Sequence, residues 1–330
     1  MTDIERIKLG RLMTTLEHNL RVTKLYADYL NICPELITPE MISALTEDGE
    51  ISIPEAIVAI LSEAFGLDFD KPSDRGIIMN YLTPSVRLLD PQRYYNNPYY
   101  RNIRIPDTRD GEWEFKNEVY PAYRGMIAAD LILDGLTEIP PLGFFTEPFS
   151  FPAVLEGGNE WMTLTPVDID TCDEAIEKAH GRVVTFGLGL GYYAYMVSEK
   201  AEVESITVVE RSPSVIALFK KHILPQFPHG EKVRIVESDA FEYLERVMPE
   251  EHFDYAFIDI WRDASDGAPV YERMKPMEKL CRGTEFSYWI ENFLISRLRS
   301  ERTERLFRGE LRPETCEGAE KFIKNIFEPL

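Results

Sequence analysis

The chain has 330 residues, 44% of them hydrophobic and 28% charged, which is enough for about two globular domains with buried cores. Its 36 Lys and Arg residues and 57 Asp and Glu residues give a formal net charge of −21. This excess of negative charge repels phosphate backbones and argues against general nucleic-acid binding. No apolar run approaches the roughly 18 residues that a membrane span needs, and the charged N-terminus has no signal-peptide core. We therefore expect a soluble cytoplasmic protein that does not bind membranes.

The cysteine and histidine spacings argue against a metal centre and against a disulfide framework. Cys33, Cys172, Cys281 and Cys316 form no C-x-x-C pair and lie far apart in the chain. We expect them to be free thiols in a reducing compartment. The histidines show no metal-ligand spacing either, so no metal is expected at His18, His180, His222, His229 or His252.

Residues 1–90 show helical patterning and are expected to form an N-terminal helical domain. Thr2 and Glu5 make a capping box, as do Ser52 and Glu55, and apolar residues recur at helical spacing after each pair. The apolar stripes fit either core packing or the face of a homodimer, and they carry no catalytic motif.

Residues 91–165 change character and are expected to form a mixed α/β region that connects and caps the larger domains. The Gly157-Gly158 pair between two β-prone runs is typical of a β-hairpin. The patterns predict a turn-rich aromatic stretch at 94–100, a strand over 113–120, a helix over 121–135, and hairpin strands over 151–156 and 159–165.

Residues 166–330 alternate strands and helices, which predicts an α/β fold with a doubly wound, mostly parallel, Rossmann-like sheet. Thr165, Pro166 and Asp168 have the composition of a helix start, and Gly181 is expected to end that helix. Helical patterns alone follow the fifth strand, so the sheet either stops there or borrows strands from 91–165. The expected strands cover 183–186, 205–210, 233–236, 255–260 and 285–290, and the expected helices cover 192–200, 213–224, 241–247, 270–280, 291–309 and 319–327.

A glycine-rich loop carries the first chemical signal. The predicted strand ending at Phe186 runs into Gly187, Gly189 and Gly191, and a helix follows. Glycines there let a ligand approach backbone N–H groups at a helix N-terminus, in the crevice at the carboxyl ends of parallel strands. A turn without any ligand uses the same pattern, so the loop alone does not define a function.

An acidic residue follows each of the next three strands. Glu210 ends the second strand, where a carboxylate can accept hydrogen bonds from both hydroxyls of a ribose. Asp239, followed by Ala240, comes after the third strand and can accept a hydrogen bond from an adenine amino group. Asp259 ends the fourth strand. Three acids at successive strand ends, after a glycine loop, predict a nucleoside-binding crevice.

Four phrases together resemble the class I S-adenosylmethionine-dependent methyltransferases, and among them the spermidine-synthase-like branch. The phrases are VVTFGLGLGY from Val183, VVERSP from Val208, ESDAFEYL from Glu237 and FDYAFIDIW from Phe253. The resemblance covers residues 163–292, under half of the chain. It implies a Rossmann-like methyltransferase sheet and S-adenosyl-L-methionine as the cofactor, and it does not specify the acceptor.

The resemblance also implies roles for individual residues. Thr185 departs from the pattern, because the methyltransferases usually carry an acid there and the spermidine synthases often carry an apolar residue. The segment 162–165 is expected to close over the cofactor. The implied cofactor contacts are Gly187, Leu188, Gly189 and Gly191 along the methionine and ribose, Glu210 with Arg211 beside it at the ribose, Asp239 and Ala240 at the adenine, and Asp259 near the sulfonium.

The expected function is in-line methyl transfer from S-adenosylmethionine to a small-molecule acceptor. Asp259 is the catalytic candidate, because a carboxylate near the sulfonium can orient an amine or hydroxyl and take its proton. Three alternatives stay open. Gly189 and Glu210 also fit a nicotinamide-dinucleotide fingerprint. Asp259, Asp263 and Asp266 suit a cationic polyamine and aminopropyl transfer, and the chain can also be read as a non-catalytic, cofactor-binding sensor or interaction protein.

Overall fold

The computed structural model describes residues 3–309 of the chain. No helix in this range is long and apolar enough to span a membrane. The α-helices are α1 (Asp3–Ile32), α2 (Pro39–Thr46), α3 (Ile53–Ala64), α4 (Pro72–Ile77), α5 (Thr83–Ser85), α6 (Pro91–Tyr95), α7 (Pro98–Asn102), α8 (Pro166–Asp170), α9 (Asp173–Lys178), α10 (Tyr192–Ser198), α11 (Pro213–Leu218), α12 (Ala240–Arg246), α13 (Met248–Glu251), α14 (Ala264–Met274) and α15 (Glu291–Phe307).

The strands within residues 3–309 belong to four separate sheets. They are β1 (Val86–Leu89), β2 (Thr108–Asp110), β3 (Trp113–Tyr120), β4 (Met126–Ile127), β5 (Ile132–Asp134), β6 (Thr137–Ile139), β7 (Leu142–Phe145), β8 (Phe149–Glu156), β9 (Asn159–Thr163), β10 (Gly181–Phe186), β11 (Val203–Glu210), β12 (Val233–Glu237), β13 (Tyr255–Ile258) and β14 (Glu285–Tyr288). The remaining helical segments are the π-helical Ile78–Leu82 and Phe219–Ile223 and the 3₁₀ segments Leu224–Gln226, Gly230–Lys232 and Lys275–Leu280.

The contacts between residues divide the chain into two compact units. As far as the structure describes them, the first unit comprises the residues up to Leu89, residues 120–148 and the chain from Asn292 onward. The second unit comprises Asp90–Val119 and Phe149–Glu291. The expected connecting region, 91–165, contributes to both units because its strands join different sheets.

Helices form most of the first unit, and the capping box predicted at Ser52 and Glu55 is present. Glu55 Oε2 accepts hydrogen bonds from the Ser52 backbone N–H and hydroxyl, each at 2.7 Å, at the start of α3. Apolar side chains of α1, α3 and the π-helical segment pack into one buried core. Thr2, of the other predicted box, lies outside the described residues.

The helix predicted over 121–135 is wrong, because strands β4 and β5 occupy this stretch. Strand β4 pairs antiparallel with β7, and β7 pairs in parallel with β1. Gly125 lies so close to the Tyr29 ring that a Cβ there would collide with it. These partners of β4 are distant in sequence, so long-range contacts override the local helical pattern there. Strand β5 instead pairs antiparallel with the next strand, β6, through a short turn.

A buried polar network joins α1, α15 and the β5–β6 hairpin of the first unit. The Glu138 carboxylate accepts a hydrogen bond from Ser296 Oγ at 2.7 Å and pairs with the Arg299 guanidinium at 3.1 Å. Asn19 Oδ1 accepts from the Glu138 backbone N–H at 3.2 Å and from the Tyr81 hydroxyl at 2.8 Å. Because Glu138 is only 4% exposed, these contacts replace the water that its side chain loses on folding.

The second unit contains a five-stranded, all-parallel sheet in the order β12-β11-β10-β13-β14. This is a doubly wound order, in which the direction of progression reverses beside the first strand and leaves a crevice at the carboxyl ends. The predicted Rossmann-like parallel sheet is therefore confirmed. Within the described residues it stops at five strands and takes none from 91–165.

Several element ends differ from those predicted. Strand β13 ends at Ile258, two residues early, and α14 begins at Ala264 instead of residue 270. The early helix start follows from a capping box between Asp263 and Asp266. Gly181 begins β10, with φ of +60°, and does not end the preceding helix.

A separate four-stranded sheet, in the order β2-β3-β8-β9, contains the predicted hairpin and the predicted strand over 113–120. Gly157 and Gly158 form the two-residue turn between β8 and β9, and both have positive φ, as this kind of turn needs. The helix predicted over 291–309 corresponds to α15. Cys33, Cys172 and Cys281 are free thiols, whereas Cys316 and the helix predicted over 319–327 lie outside the described residues.

We predict that Glu138→Ala lowers the free energy of unfolding by about 3 kcal/mol, because it removes the shared acceptor of Ser296 and Arg299. Urea unfolding followed by circular dichroism measures this change. Glu242→Ala is the control, since Glu242 forms an exposed i,i+4 pair with Arg246 and is expected to contribute less than about 0.5 kcal/mol. Equal losses in the two variants would contradict the importance of the buried network.

Candidate functional site

The loop between β10 and α10 has a backbone that requires glycine at three positions. Gly187, Gly189 and Gly191 all have positive φ, at +94°, +50° and +76°. A Cβ on Gly187 would collide with the backbone carbonyl of Asp259, and one on Gly191 with the Phe219 ring. The glycine loop therefore brings the end of β10 into direct contact with the segment that follows β13.

Glu210, at the end of β11, is held against the glycine loop by backbone hydrogen bonds. Its Oε2 accepts from the Leu188 N–H at 3.2 Å, and its Oε1 accepts from the Ser212 N–H at 2.7 Å. The residue is half-buried, and each carboxylate oxygen keeps a lone pair for a further donor. Glu210 can therefore accept hydrogen bonds from two neighbouring hydroxyl groups without leaving its place.

Asp239, which follows β12, caps the N-terminus of α12. Its Oδ1 accepts from the backbone N–H groups of Phe241 at 2.9 Å and Glu242 at 3.1 Å. Its Oδ2 accepts no hydrogen bond from any residue in the range 3–309. The Arg273 guanidinium lies over the Phe241 ring, 4.3 Å from its centroid, and holds the ring in place. The cap thus leaves one carboxylate oxygen free beside a fixed aromatic ring.

An open cleft of about 440 Å³, here called the outer cleft, lies at the carboxyl ends of the parallel strands. Its volume is within the range of roughly 300–1,000 Å³ that is usual for small-molecule sites. Gly191 does not line the outer cleft, because it lies under the Phe219 ring. The other residues that were predicted to contact the cofactor do line it, namely Gly187, Leu188, Gly189, Glu210, Arg211, Asp239, Ala240 and Asp259.

A smaller pocket of about 40 Å³, here called the inner pocket, adjoins the outer cleft. The two share Met162, Gly187, Leu188 and Asp259. No Lys or Arg is among the described residues that line the inner pocket, so its charge comes from two carboxyl groups and favours a cation. Its further lining includes Asp168, Cys172, Thr185, Tyr192, Tyr193, Phe257 and Trp289.

Asp259 and Asp168 line the same pocket, and both bind protons more tightly than usual. Burial, together with the neighbouring Asp168, raises the pKa of Asp259 to about 8. Burial also raises the pKa of Asp168 to about 6, although the Thr165 N–H and hydroxyl donate to its Oδ2 at 2.7 and 2.8 Å. Two like charges at close range are unfavourable, so at neutral pH the pair retains a proton, mostly on Asp259.

Met162, on β9, lies against the glycine loop and lines both cavities. Its Sδ accepts a hydrogen bond from the Leu190 N–H at 2.7 Å. Its side chain also fills the space in which a Cβ on Gly189 would lie. The segment 162–165, which was expected to close over a cofactor, thus contacts the glycine loop directly.

Sequence reasoning missed several residues that shape the site. Tyr99 donates its hydroxyl to the Leu190 carbonyl at 2.5 Å, and the Asn97 side-chain amide donates to the Tyr192 hydroxyl at 3.0 Å. The sequence of this aromatic stretch predicts only a turn, and nothing in it indicates a contact with the glycine loop. Asp168 carries a capping signal, which is confirmed, but no local signal places it beside Asp259.

No family model matches the chain, and no curated protein matches it. One structural neighbour is a spermidine synthase, solved as a crystal structure in complex with the transition-state analogue AdoDATO. The two share 15% sequence identity with a TM-score of 0.31, over 46% of this chain and 58% of the synthase, so the match spans little more than half of that protein. Values this low do not establish a shared fold. The strand order and the outer cleft themselves define a Rossmann-like α/β protein with a cleft of small-molecule size.

We predict that Gly187→Ala lowers the stability of the second unit by more than backbone strain alone. The substitution places a Cβ on the Asp259 carbonyl and forces a residue other than glycine to a φ of +94°. Gly283→Ala is the matched control, because Gly283 has the same φ and nothing within 4 Å of its added Cβ. We expect a loss of about 1–2 kcal/mol for the control and about 1–3 kcal/mol more for Gly187→Ala. Urea unfolding measures both losses. Equal losses would show that the Asp259 carbonyl can shift away from the added Cβ without an energetic cost.

The stability of the protein is expected to depend on pH through Asp259. The pKa of Asp259 rises from 3.8 to about 8 on folding, so between these values the folded state holds an extra proton. Stability therefore falls as pH rises through this window, by up to about 1.4 kcal/mol per pH unit from this group. We predict that Asp259→Asn removes the part of the fall between pH 6 and pH 8, above the pKa of Asp168. Melting temperatures measured across that range check it.

Asp263→Asn is the control for the pH experiment. Although Asp263 is partly buried, hydrogen bonds from Ser265 lower the pKa of its carboxyl group, so it stays ionised throughout the range. The control variant keeps a helix cap, because the amide oxygen of Asn can accept the same hydrogen bonds from Ser265, and it is expected to retain the wild-type slope. A wild-type slope in Asp259→Asn would show that Asp259 does not hold the proton.

Proposed function

We propose that the protein is an S-adenosylmethionine-dependent methyltransferase that acts on a small amine. One observation carries this proposal: carboxylates at the ends of β11, β12 and β13 surround a single cleft, which opens into an acid-lined inner pocket. The outer cleft suits a nucleoside, and the inner pocket suits a positively charged group.

The residues present fit the cofactor in the chemistry of their donor and acceptor atoms. Glu210 would hold the two ribose hydroxyls. Each of its oxygens accepts one backbone hydrogen bond, from Leu188 or Ser212, and keeps a lone pair for a ligand hydroxyl. Asp239 Oδ2 would accept the adenine amino group beside the Phe241 ring. Gly187, Leu188 and Gly189 of the glycine loop line the outer cleft, so this part of the loop would border the bound nucleoside. The bound cofactor supplies a methyl group on a sulfonium, which is already activated for displacement.

Asp259 would hold the acceptor amine and take its proton. It lines both cavities, so its carboxyl group lies where a nucleophile in the inner pocket meets a ligand in the outer cleft. A cationic group entering the inner pocket favours the ionised carboxylate and lowers the pKa of Asp259 from about 8. A base whose pKa lies near the working pH contributes roughly 10²–10⁴-fold to rate.

Aminopropyl transfer is the second candidate, and the lining of the inner pocket favours it. In this second arrangement the tail of the cofactor, and not the acceptor, enters the inner pocket. The carboxylate of a methionine moiety would need a cationic partner there, and the described residues lining the inner pocket include no Lys or Arg. A decarboxylated sulfonium nucleoside with an ammonium end needs no such partner. Both candidates place the nucleoside in the outer cleft and an amine near Asp259, so ligand binding distinguishes them.

We predict micromolar binding of S-adenosylmethionine and S-adenosylhomocysteine, measured by calorimetry alongside decarboxylated S-adenosylmethionine and NADH. Glu210→Ala is expected to weaken binding at least about tenfold, because it removes the acceptor of the ribose hydroxyls. Glu237→Ala is the control. Glu237 is an exposed acid at the end of β12 that does not line the outer cleft, so binding should be unchanged.

The ligand preference decides between the readings. Tighter binding of decarboxylated S-adenosylmethionine would favour the proposal of aminopropyl transfer over that of methyl transfer. Binding of NADH alone would contradict both proposals. Asp259→Ala then tests catalysis with a panel of small amines. Lost turnover with retained cofactor binding supports the role of Asp259, whereas a wild-type protein that binds the cofactor and turns over no amine is a non-catalytic binding module.

A further inference from the structure

Asp168 supplies the second carboxyl group of the inner pocket, and its two oxygens have different surroundings. Oδ2 accepts from the Thr165 N–H and hydroxyl at 2.7 and 2.8 Å, which caps α8. Oδ1 accepts no hydrogen bond from residues 3–309, and it is not buried. The nearby Tyr100 hydroxyl donates to the Leu164 carbonyl instead. Asp168 Oδ1 is therefore an acceptor that a ligand in the inner pocket can reach.

At neutral pH the negative charge of the inner pocket lies on Asp168. Burial raises the pKa of Asp168 to about 6, whereas burial and the neighbouring Asp168 raise that of Asp259 to about 8. The proton that the pair retains is therefore mostly on Asp259. The other titratable groups of the described lining stay neutral, because burial raises the pKa of Cys172, Tyr192 and Tyr193 as well. A cation that enters the inner pocket thus meets a single charged group.

We propose that Asp168 selects the acceptor, because its Oδ1 accepts a hydrogen bond from the ammonium group of a small primary or secondary amine beside Asp259. This inference rests on the proposed function. The inner pocket, of about 40 Å³, has room for roughly three water-sized groups, so an ammonium group with its first carbons fits. Such a group has at least two N–H bonds. One proton can pass to Asp259 while another N–H stays on Asp168 and fixes the direction of the nitrogen lone pair.

Asp168→Asn separates the proposed role from the helix cap. The Asn side-chain oxygen can accept the same hydrogen bonds from Thr165, so the cap is kept while the charge and the second acceptor are lost. Asp173→Asn is the matched control. Asp173 lies close enough to raise the pKa of the Cys172 thiol, so the control removes a negative charge from the same region, but Asp173 does not line the inner pocket. Both variants should bind 5′-methylthioadenosine, the nucleoside part shared by both proposed cofactors, as tightly as wild type.

The probes are ethylamine and n-propylamine, with ethanol and 1-propanol as their uncharged counterparts. Each is titrated at neutral pH into protein saturated with 5′-methylthioadenosine, and NMR measures the dissociation constants. Wild type is expected to bind each amine at least about tenfold more tightly than its alcohol, because hydrogen bonds between charged groups are the stronger ones. Asp168→Asn should lower the affinity for the amines about tenfold and leave that for the alcohols within about twofold. Asp173→Asn should keep the wild-type preference.

The outcomes separate this inference from the proposed function. Wild-type protein that binds none of the nucleosides overturns the proposed function itself. Wild-type protein that binds 5′-methylthioadenosine without preferring amines to alcohols overturns the role of Asp168, and this comparison needs no variant. Equal losses in Asp168→Asn and Asp173→Asn also overturn it, since they show an effect of charge at a distance. If Asp168→Asn weakens only decarboxylated S-adenosylmethionine, the inner pocket holds the tail of the cofactor and the inference is wrong. A loss of amine binding confined to Asp168→Asn supports the contact.

Discussion

The contact between Gly187 and the Asp259 carbonyl is the constraint on which the site depends. Three neighbouring strand ends meet there, because the Gly187 N–H donates to the Val209 carbonyl and the Asp259 N–H donates to the Phe186 carbonyl, each at 2.9 Å. With no side chain at position 187, the segment after β13 can lie against the glycine loop. This close approach places Asp259 at the junction of the outer cleft and the inner pocket before any ligand binds.

The electrostatics of the site follow from that placement. Asp259 and Asp168 are brought to one small pocket with no basic residue among the described lining, and their mutual repulsion is relieved by protonation. A cation that enters the inner pocket favours the ionised form of the protonated carboxyl group. The proton then leaves, and the pocket gains a negative charge. The same arrangement excludes anions, in keeping with a chain whose formal net charge is −21.

The sequence predicts those parts of the second unit whose signals are local. Alternating strands and helices, the Gly157-Gly158 turn and the capping box of Thr165 and Asp168 each act within a few residues. The helix predicted over 121–135 fails because β4 is fixed by its pairing with β7. Gly191 matches the glycine pattern that predicts a cofactor contact. In the structure it packs under the Phe219 ring and does not line the outer cleft. The Asp168–Asp259 pair depends on neighbours from several elements, which no spacing rule encodes.

Capping and ligand binding are compatible roles for the acids at this site. Asp239 uses Oδ1 to cap α12, and Asp168 uses Oδ2 to accept from Thr165, so each carboxyl group keeps one oxygen for another partner. The cap fixes the position of the carboxyl group as part of folding, and a ligand that arrives later does not have to order it. At Asp239 the capping signal follows the parallel strand β12, so a signal that reads locally as the start of a helix also marks a preorganised acceptor at the carboxyl edge of the sheet.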